Sequence, residues 1–253
     1  MVYERKRKDP RRSDESAGSA RKRPRAPAGR SMVSAVRRPA LQIREYPWQT
    51  LTQLPIKITD GVIFMVNTID PGTGDDQRSK HQTMLYKMSF NCVLWPDETT
   101  ALIVAPFRVN FWLVYDAAPQ GKLPALSDIF SVPYTKWGNT WNVSRTNVHR
   151  FVVKRKWHVD YNSSGTAVGK KQSPGSEDFP VKNVVECNKF FEKLRVKTEW
   201  LNTTDGTIGS VKKGALYLVA NTRQMPAGDA VTTTCTTYMQ GSTRLYFKSL
   251  GYQ

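Results

Sequence analysis

The sequence predicts an all-β protein with a separate basic arm at its N-terminus, and two observations lead to this fold class. From Leu41 onward, short apolar runs follow a period of two, and clusters of Gly, Pro, Asn and Asp separate them. Residues 1–40 instead carry 13 Lys and Arg against four acids, with four prolines and few large apolar side chains. We therefore expect a disordered arm over residues 1–40 and one folded domain over residues 41–253.

The clearest strand pattern runs from Met84 to Leu94, and a second ends at Asp116. In the first, alternation predicts a core face made of Met84, Tyr86, Met88, Phe90, Cys92 and Leu94, opposite a polar face with Lys87, Ser89 and Asn91. The second repeats the pattern with Val109, Phe111, Leu113 and Tyr115. Further strands are predicted at Ile56–Val66 (two strands across Asp60 and Gly61), Leu102–Val104, Val148–Val159, Arg195–Leu201, Ala215–Ala220 and Thr243–Lys248.

The segment Val184–Leu194 also fits a helical stripe, although we favour a strand. The total is eight or nine strands with no long helix between them, which predicts an antiparallel sandwich or barrel; the jelly roll is the eight-stranded member of that group. Three connections, 70–80, 116–147 and 162–180, are long for hairpins. Connections of this length commonly contact partners.

Charge points to a polyanionic partner, because the chain has a formal net charge of +17 and a pI near 9.9. More than half of that excess, +9, lies in residues 1–40. Arginine dominates there, and arginine suits bidentate phosphate contacts. The basic residues form two clusters, one of Arg5, Lys6, Arg7, Lys8, Arg11 and Arg12 and one of Arg21, Lys22, Arg23 and Arg25. Clusters of this kind are typical both of nuclear-import signals and of DNA-binding segments.

A second basic run lies in the folded domain between Arg150 and Val159. Alternation predicts a core face of Phe151, Val153, Trp157 and Val159, with Arg155 as an exception, and a largely cationic face of Arg150, Val152, Lys154, Lys156 and His158. The candidate nucleic-acid contacts in this run are Arg150, Lys154, Arg155 and Lys156. The alternative is an ordinary solvated strand face.

Little in the sequence favours an enzyme. Only three histidines are present, none with metal-ligand spacing to a cysteine, and no phosphate loop or nucleophile elbow occurs. We therefore expect no enzymatic activity, no cofactor and no metal, with an unrecognised carboxylate site as the rival. Cys92, Cys187 and Cys235 are expected to be reduced and buried. No apolar run is long enough to span a membrane, so no membrane partner is expected.

Five motifs, taken together, resemble the coat proteins of geminiviruses, most closely those of the mastrevirus branch. They are Phe111–Asp116 (FWLVYD), His149–Trp157 (HRFVVKRKW), Arg195–Trp200 (RVKTEW) with Thr204–Gly206 (TDG), Lys213–Leu218 (KGALYL) and Thr243–Ser249 (TRLYFKS). The resemblance runs from about Leu41 to the C-terminus, whereas the arm is similar only in composition.

This resemblance implies an eight-stranded jelly-roll subunit that forms pentameric capsomers and a twinned icosahedral shell around circular single-stranded DNA. It also implies entry into the host nucleus through the import machinery, and contacts with components of an insect vector. The implied locations are the virion and the host nucleus. A shuttle protein that binds single-stranded DNA without forming a shell would need the same arm, and it remains the alternative.

Overall fold

The structure is a computed structural model that describes residues 40–48, 54–59, 61–130, 140–164, 184–225 and 235–251. The predicted basic arm lies outside these ranges except for Ala40. Within them no helix is long and apolar enough to cross a membrane. The described elements are two short helices, α1 (Glu98–Ala101) and α2 (Leu126–Ile129), and the strands β1 (Gln42–Trp48), β2 (Leu54–Lys57), β3 (Val62–Met65), β4 (Gln82–Pro96), β5 (Val104–Asp116), β6 (Phe151–Ser164), β7 (Val185–Phe191), β8 (Val196–Trp200), β9 (Val211–Lys213), β10 (Ala215–Gln224) and β11 (Thr236–Leu250).

The strands form two antiparallel sheets. The smaller sheet has the order β3-β10-β5-β6, and the larger has the order β1-β11-β4-β8-β9, with β2 also paired to β11 and β7 also paired to β4. The orders β2-β11-β4-β7 and β3-β10-β5-β6 are those of two four-stranded sheets joined as an eight-stranded jelly roll. The predicted jelly-roll sandwich is therefore confirmed, and β1, β8 and β9 extend its larger sheet.

Aromatic side chains between the two sheets form the centre of the core. Phe90 of β4 lies 5.6 Å from Phe111 of β5 and 5.3 Å from Trp157 of β6, measured between ring centroids. Phe111 and Trp157 stack at 5.2 Å. Trp48 of β1 extends the cluster by stacking on Phe90. Offset and edge contacts of this kind add to the stability gained by burying the rings.

The smaller sheet is also covered on its other side. Trp112 of β5 stacks on Trp141 at 5.2 Å and lies 5.3 Å from Phe130, which places part of the long connection after Asp116 against the sheet. In β10 all ten residues are buried. The connection 116–147 thus contributes packing as well as any contact with partners.

A bulge in β4 reverses part of the predicted core face. The pairing with β11 passes from Lys87 to Leu85 and leaves Tyr86 as the extra residue. Beyond the bulge, Phe90 and its alternate neighbours are buried as predicted, but before it Leu85 is buried while Met84 and Tyr86 are only half-buried. The prediction that Met84 and Tyr86 face the core was wrong, because one extra residue exchanges the two faces of a strand.

The other strand predictions differ mainly at their ends. Val184–Leu194 contains a strand, β7 (Val185–Phe191), and Ile56–Val66 contributes to two strands, β2 and β3, as expected. The predicted short strand Leu102–Val104 was wrong, because Leu102 caps α1 and Val104 begins β5. Strands β1 and β9 were not predicted. All three cysteines are free and buried, as expected.

Candidate nucleic-acid interface

The ten arm residues predicted to bind DNA or direct nuclear import lie outside the described residues. The four candidates of the folded domain, at and near the start of β6, are described. The structure places these four in three different settings, although the sequence assigned them to one basic run.

Arg150 is held in a buried ion pair. Its Nε and Nη2 donate to the two carboxylate oxygens of Asp116, at 2.9 and 2.8 Å. The Asp116 side chain is 0% exposed and that of Arg150 is 15% exposed. The bidentate pair raises the pKa of Arg150, and burial beside the Asp116 carboxylate raises the pKa of Tyr217, whose hydroxyl donates to Asp116. The positive charge of Arg150 is neutralised by Asp116 within the fold, so the geometry does not favour a phosphate contact at Arg150.

A bulge at Lys154 separates the remaining candidates. Val153 pairs with Val114 of β5 and Arg155 with Leu113, so Lys154 is the extra residue. The Nζ of Lys154 lies 5.1 Å from the Tyr115 ring centroid, and that of Lys156 lies 5.7 Å from the Trp112 ring centroid.

Because Tyr115 and Trp112 are three residues apart on one strand, they point to opposite faces of the sheet. The prediction that Lys154 and Lys156 share one cationic face was therefore wrong. The predicted apolar face also divides, since Phe151 and Val153 pair with even-numbered residues of β5 whereas Trp157 and Val159 pair with odd-numbered ones. Burial also lowers the pKa of Lys156.

Arg155 connects the two sheets at one end of the sandwich. Its Nη2 donates to the carbonyl of Glu192, at 3.0 Å, in the turn between β7 and β8. In this turn Lys193 and Arg195 have φ angles of 56° and 49°, and Leu194 between them is buried and donates its N–H to the carbonyl of Tyr86 at 3.0 Å. Non-glycine residues in the left-handed region are uncommon and often mark functional turns. We call the exposed cations Arg155, Lys193 and Arg195, together with half-buried Lys154, the basic corner.

Next to this corner, the outer face of the larger sheet combines aromatic rings with lysines. Phe190 of β7 is 53% exposed, and Lys87 Nζ lies 5.7 Å from its ring centroid. Tyr246 of β11 contacts the Phe190 ring at 6.0 Å, and Lys248 Nζ lies 5.7 Å from the ring centroid of Tyr86. We call these five residues the aromatic–basic face.

Two acids lie beside the aromatic–basic face and partly neutralise the positive charge of this region. Glu192 accepts a hydrogen bond from Lys87 at 2.8 Å, and this contact lowers the pKa of Glu192. Glu45 of β1 pairs with Arg244 of β11. Exposed rings beside lysines can stack bases and attract phosphates, which is the arrangement that single-stranded nucleic acids favour.

This face was not predicted, although the alternation in Thr243–Ser249 is a signal for it. There Arg244, Tyr246 and Lys248 alternate with buried Leu245 and Phe247. Two cations and one ring on the solvent side of a strand form the same pattern that the structure shows.

Comparison with known proteins identifies the family. Residues 2–253 match the family described as "Geminivirus coat protein/nuclear export factor BR1 family". The chain belongs to this family. It is 70% identical to the capsid protein of Miscanthus streak virus (isolate 91), a match that covers 98% of this chain and 99% of that protein. It is 35% identical to the capsid protein of Maize streak virus genotype C (isolate Set), with 93% of each chain covered.

These relatives are mastrevirus capsid proteins, so the predicted branch is confirmed together with the family. Among solved structures, the chain is similar to a 60-mer BFDV capsid protein at 9% identity, with 85% of this chain and 98% of that chain covered, and a TM-score of 0.26. That score is too low to bear on function. As a coat protein, the chain is a structural component of the virion.

Proposed function

We propose that this coat protein self-assembles through pentameric capsomers into a twinned icosahedral shell, packages circular single-stranded DNA and carries it into the host nucleus. The observation that supports the DNA partner is the charge distribution, with +17 overall and +9 in residues 1–40. A coat protein must neutralise phosphates without reading sequence, and arginine-rich segments do this with little dependence on base identity. The proposal assigns the protein no enzymatic turnover.

In this proposal two parts of the chain bind the DNA, and the first of them also directs nuclear import. The arginines of residues 1–40 supply most of the phosphate neutralisation and the signal for the import machinery. The basic corner and the aromatic–basic face supply a fixed surface on the domain, where Phe190 and Tyr246 stack bases and Lys87 and Lys193 meet phosphates. Contacts with insect-vector components belong to the outside of the assembled shell.

A shuttle protein that never assembles is the second candidate, because the family description itself includes a nuclear export factor. Such a protein would share the fold and the DNA-binding charge but would not form rings. The two candidates differ in self-association, so microscopy separates them.

The experiment is negative-stain electron microscopy of the full chain with and without circular single-stranded DNA at low salt. Pentameric rings or twinned shells are expected, whereas dispersed protein along the DNA at every pH and salt concentration would support the shuttle. A variant with Arg5, Lys6, Arg7 and Lys8 changed to Gln tests the arm. If all 13 arm cations met phosphates, the slope of log K against log[salt] would be roughly −9, and this variant would reduce it by about 3.

The matched control is Lys122→Gln, a single exposed lysine in the connection after β5. Its salt slope should differ from that of the wild type by less than one. Unchanged slopes for both variants would show that the arm does not neutralise the DNA. The same two variants, fused to a fluorescent protein in plant cells, test import, because only the arm variant should lose nuclear accumulation.

A further inference from the structure

Two of the three cysteines lie directly opposite each other on neighbouring strands. Cys92 of β4 and Cys187 of β7 are paired in the antiparallel register, and each is 3% exposed. The Cβ atoms of residues paired in this way are about 4.5–5.5 Å apart. A disulfide needs a Cβ separation of about 3.5–4.5 Å and a Cα separation of about 4.4–6.8 Å. A small inward movement of the two side chains is therefore enough to join them.

The surroundings of the pair make the two thiols unequal. A hydrogen bond from Cys92 lowers the pKa of Cys187, and the positive charge of Lys189 acts in the same direction. The same shared hydrogen bond, together with burial, raises the pKa of Cys92. Cys187 is accordingly the thiol that ionises first and attacks an oxidant, because the thiolate is the reactive form.

Strand β7 gives an oxidant a way to reach the buried pair. Among the described strands, β7 pairs with β4 alone, and Cys187 is the one fully buried residue of its seven. A strand with so little buried surface opens locally at lower cost than the central strands of the sheet. Such opening brings Cys187 to solvent without unfolding the sandwich.

We propose that Cys92 and Cys187 form a reversible redox site that peroxide oxidises to a disulfide between β4 and β7. The Cys187 thiolate attacks one oxygen of hydrogen peroxide, breaks the O–O bond and becomes a sulfenic acid, and the departing hydroxide takes a proton to form water. The sulfur of Cys92 then attacks that of Cys187, forms the S–S bond and displaces a second water. The two thiols lose two electrons and two protons, and one peroxide is reduced to two waters.

The proposed disulfide closes a loop of roughly 95 residues, which restricts the unfolded chain strongly. We expect the oxidised protein to unfold at a temperature several degrees above that of the reduced protein. A thiol reductant such as dithiothreitol should reverse the shift, since it returns both sulfurs to thiols.

The test treats the full chain with hydrogen peroxide, alkylates the remaining thiols under denaturing conditions and measures the intact mass and a non-reducing peptide map. The expected result is an intact mass lower by about 2 Da before alkylation, the loss of two alkylation sites after it, and a peptide pair linking Cys92 to Cys187. Cys235→Ser is the matched control and should form the same link, whereas Cys92→Ala and Cys187→Ala should not.

Several outcomes would overturn the proposal. These are a link through Cys235, a link between two chains, further oxidation of Cys187 to a sulfinic acid without a link, or three thiols that stay free. The wild-type peptide map decides among them even where an alanine variant fails to fold. Because the readout is a covalent link within one chain, it does not depend on DNA binding or assembly.

Discussion

Replacing Arg150 by alanine removes one partner of the ion pair with Asp116. The Asp116 carboxylate is fully buried and accepts both guanidinium hydrogen bonds, so its charge would remain inside the protein without a counter-ion. Breaking a buried pair from one side typically costs about 3–5 kcal/mol. The Tyr217 hydroxyl and the N–H of Ala118 still donate to Asp116, which favours the lower part of that range.

The assay is urea unfolding followed by tryptophan fluorescence. With an m value of about 3 kcal/mol per M, the midpoint should fall by about 1–2 M. Arg145→Ala is the matched control, because Arg145 is an exposed arginine five residues earlier, and its midpoint should stay close to that of the wild type. Adding Asp116→Asn to Arg150→Ala should restore part of the loss, since it removes the unpaired charge.

The same variant distinguishes the structural role of Arg150 from the phosphate contact that the sequence suggested. A residue that meets one phosphate of a single strand contributes about −0.7 to the salt slope, and its loss leaves stability nearly unchanged. We expect the opposite, a large loss of stability with an unchanged salt slope at temperatures where the variant is folded. An unchanged urea midpoint together with a shallower salt slope would refute the buried-pair reasoning.

Three further predictions test the fold and the proposed interface. Gly214→Ala should lower the thermal midpoint by several degrees, because Gly214 has a φ of 80° and an added Cβ would lie 2.0 Å from the carbonyl oxygen of Lys197; an unchanged midpoint would contradict this backbone. Phe190→Ser should weaken single-stranded DNA binding by about 1–3 kcal/mol in fluorescence anisotropy, and exposed Ile43→Ser should not; equal affinities would remove the stacking role. Burial raises the pKa of Tyr161 to about 12. Unfolding exposes this phenol and lets it ionise near pH 10, so the contribution of Tyr161 to stability should be complete below pH 10 and fall by about 2–3 kcal/mol between pH 10 and 12. Tyr161→Phe should flatten that decline in alkaline urea titrations, and an identical decline would contradict the prediction.

Much of the fold could be predicted from the sequence, because an antiparallel sandwich imposes a period of two on its strands. Where that period is unbroken, as in Phe90–Leu94 of β4, the buried residues are those expected. In β5 the six residues Val109–Val114 are all buried, because the smaller sheet is covered on both sides, and Tyr115, predicted to continue the alternation, is only half-buried. Strand β1 was missed because its half-buried residues include Gln42 and Arg44, whose polarity hides the alternation. Strand β1 is stabilised by its pairing with β11, which the composition of β1 alone does not indicate.

The bulges at Tyr86 and Lys154 could not be predicted, because an extra residue in one strand is defined by the register of its neighbour. Each bulge exchanges the two faces of its strand. The bulge at Lys154 is the reason why the predicted cationic face, with Lys154 and Lys156 on the same side, was wrong. The contact between Arg150 and Asp116 was also beyond local reasoning, since the two residues are 34 positions apart. The candidate site is thus less predictable than the fold that carries it.

Strand β10, buried at all ten positions, limits how this coat protein can vary. A charge introduced anywhere along it would lose its hydration, and a larger side chain would displace neighbours in a closely packed interior. Tolerated changes should therefore be confined to swaps of similar volume. The backbone amides of Tyr217–Ala220, paired with β3 on one side and β5 on the other, should be among the last in the described domain to exchange with deuterium.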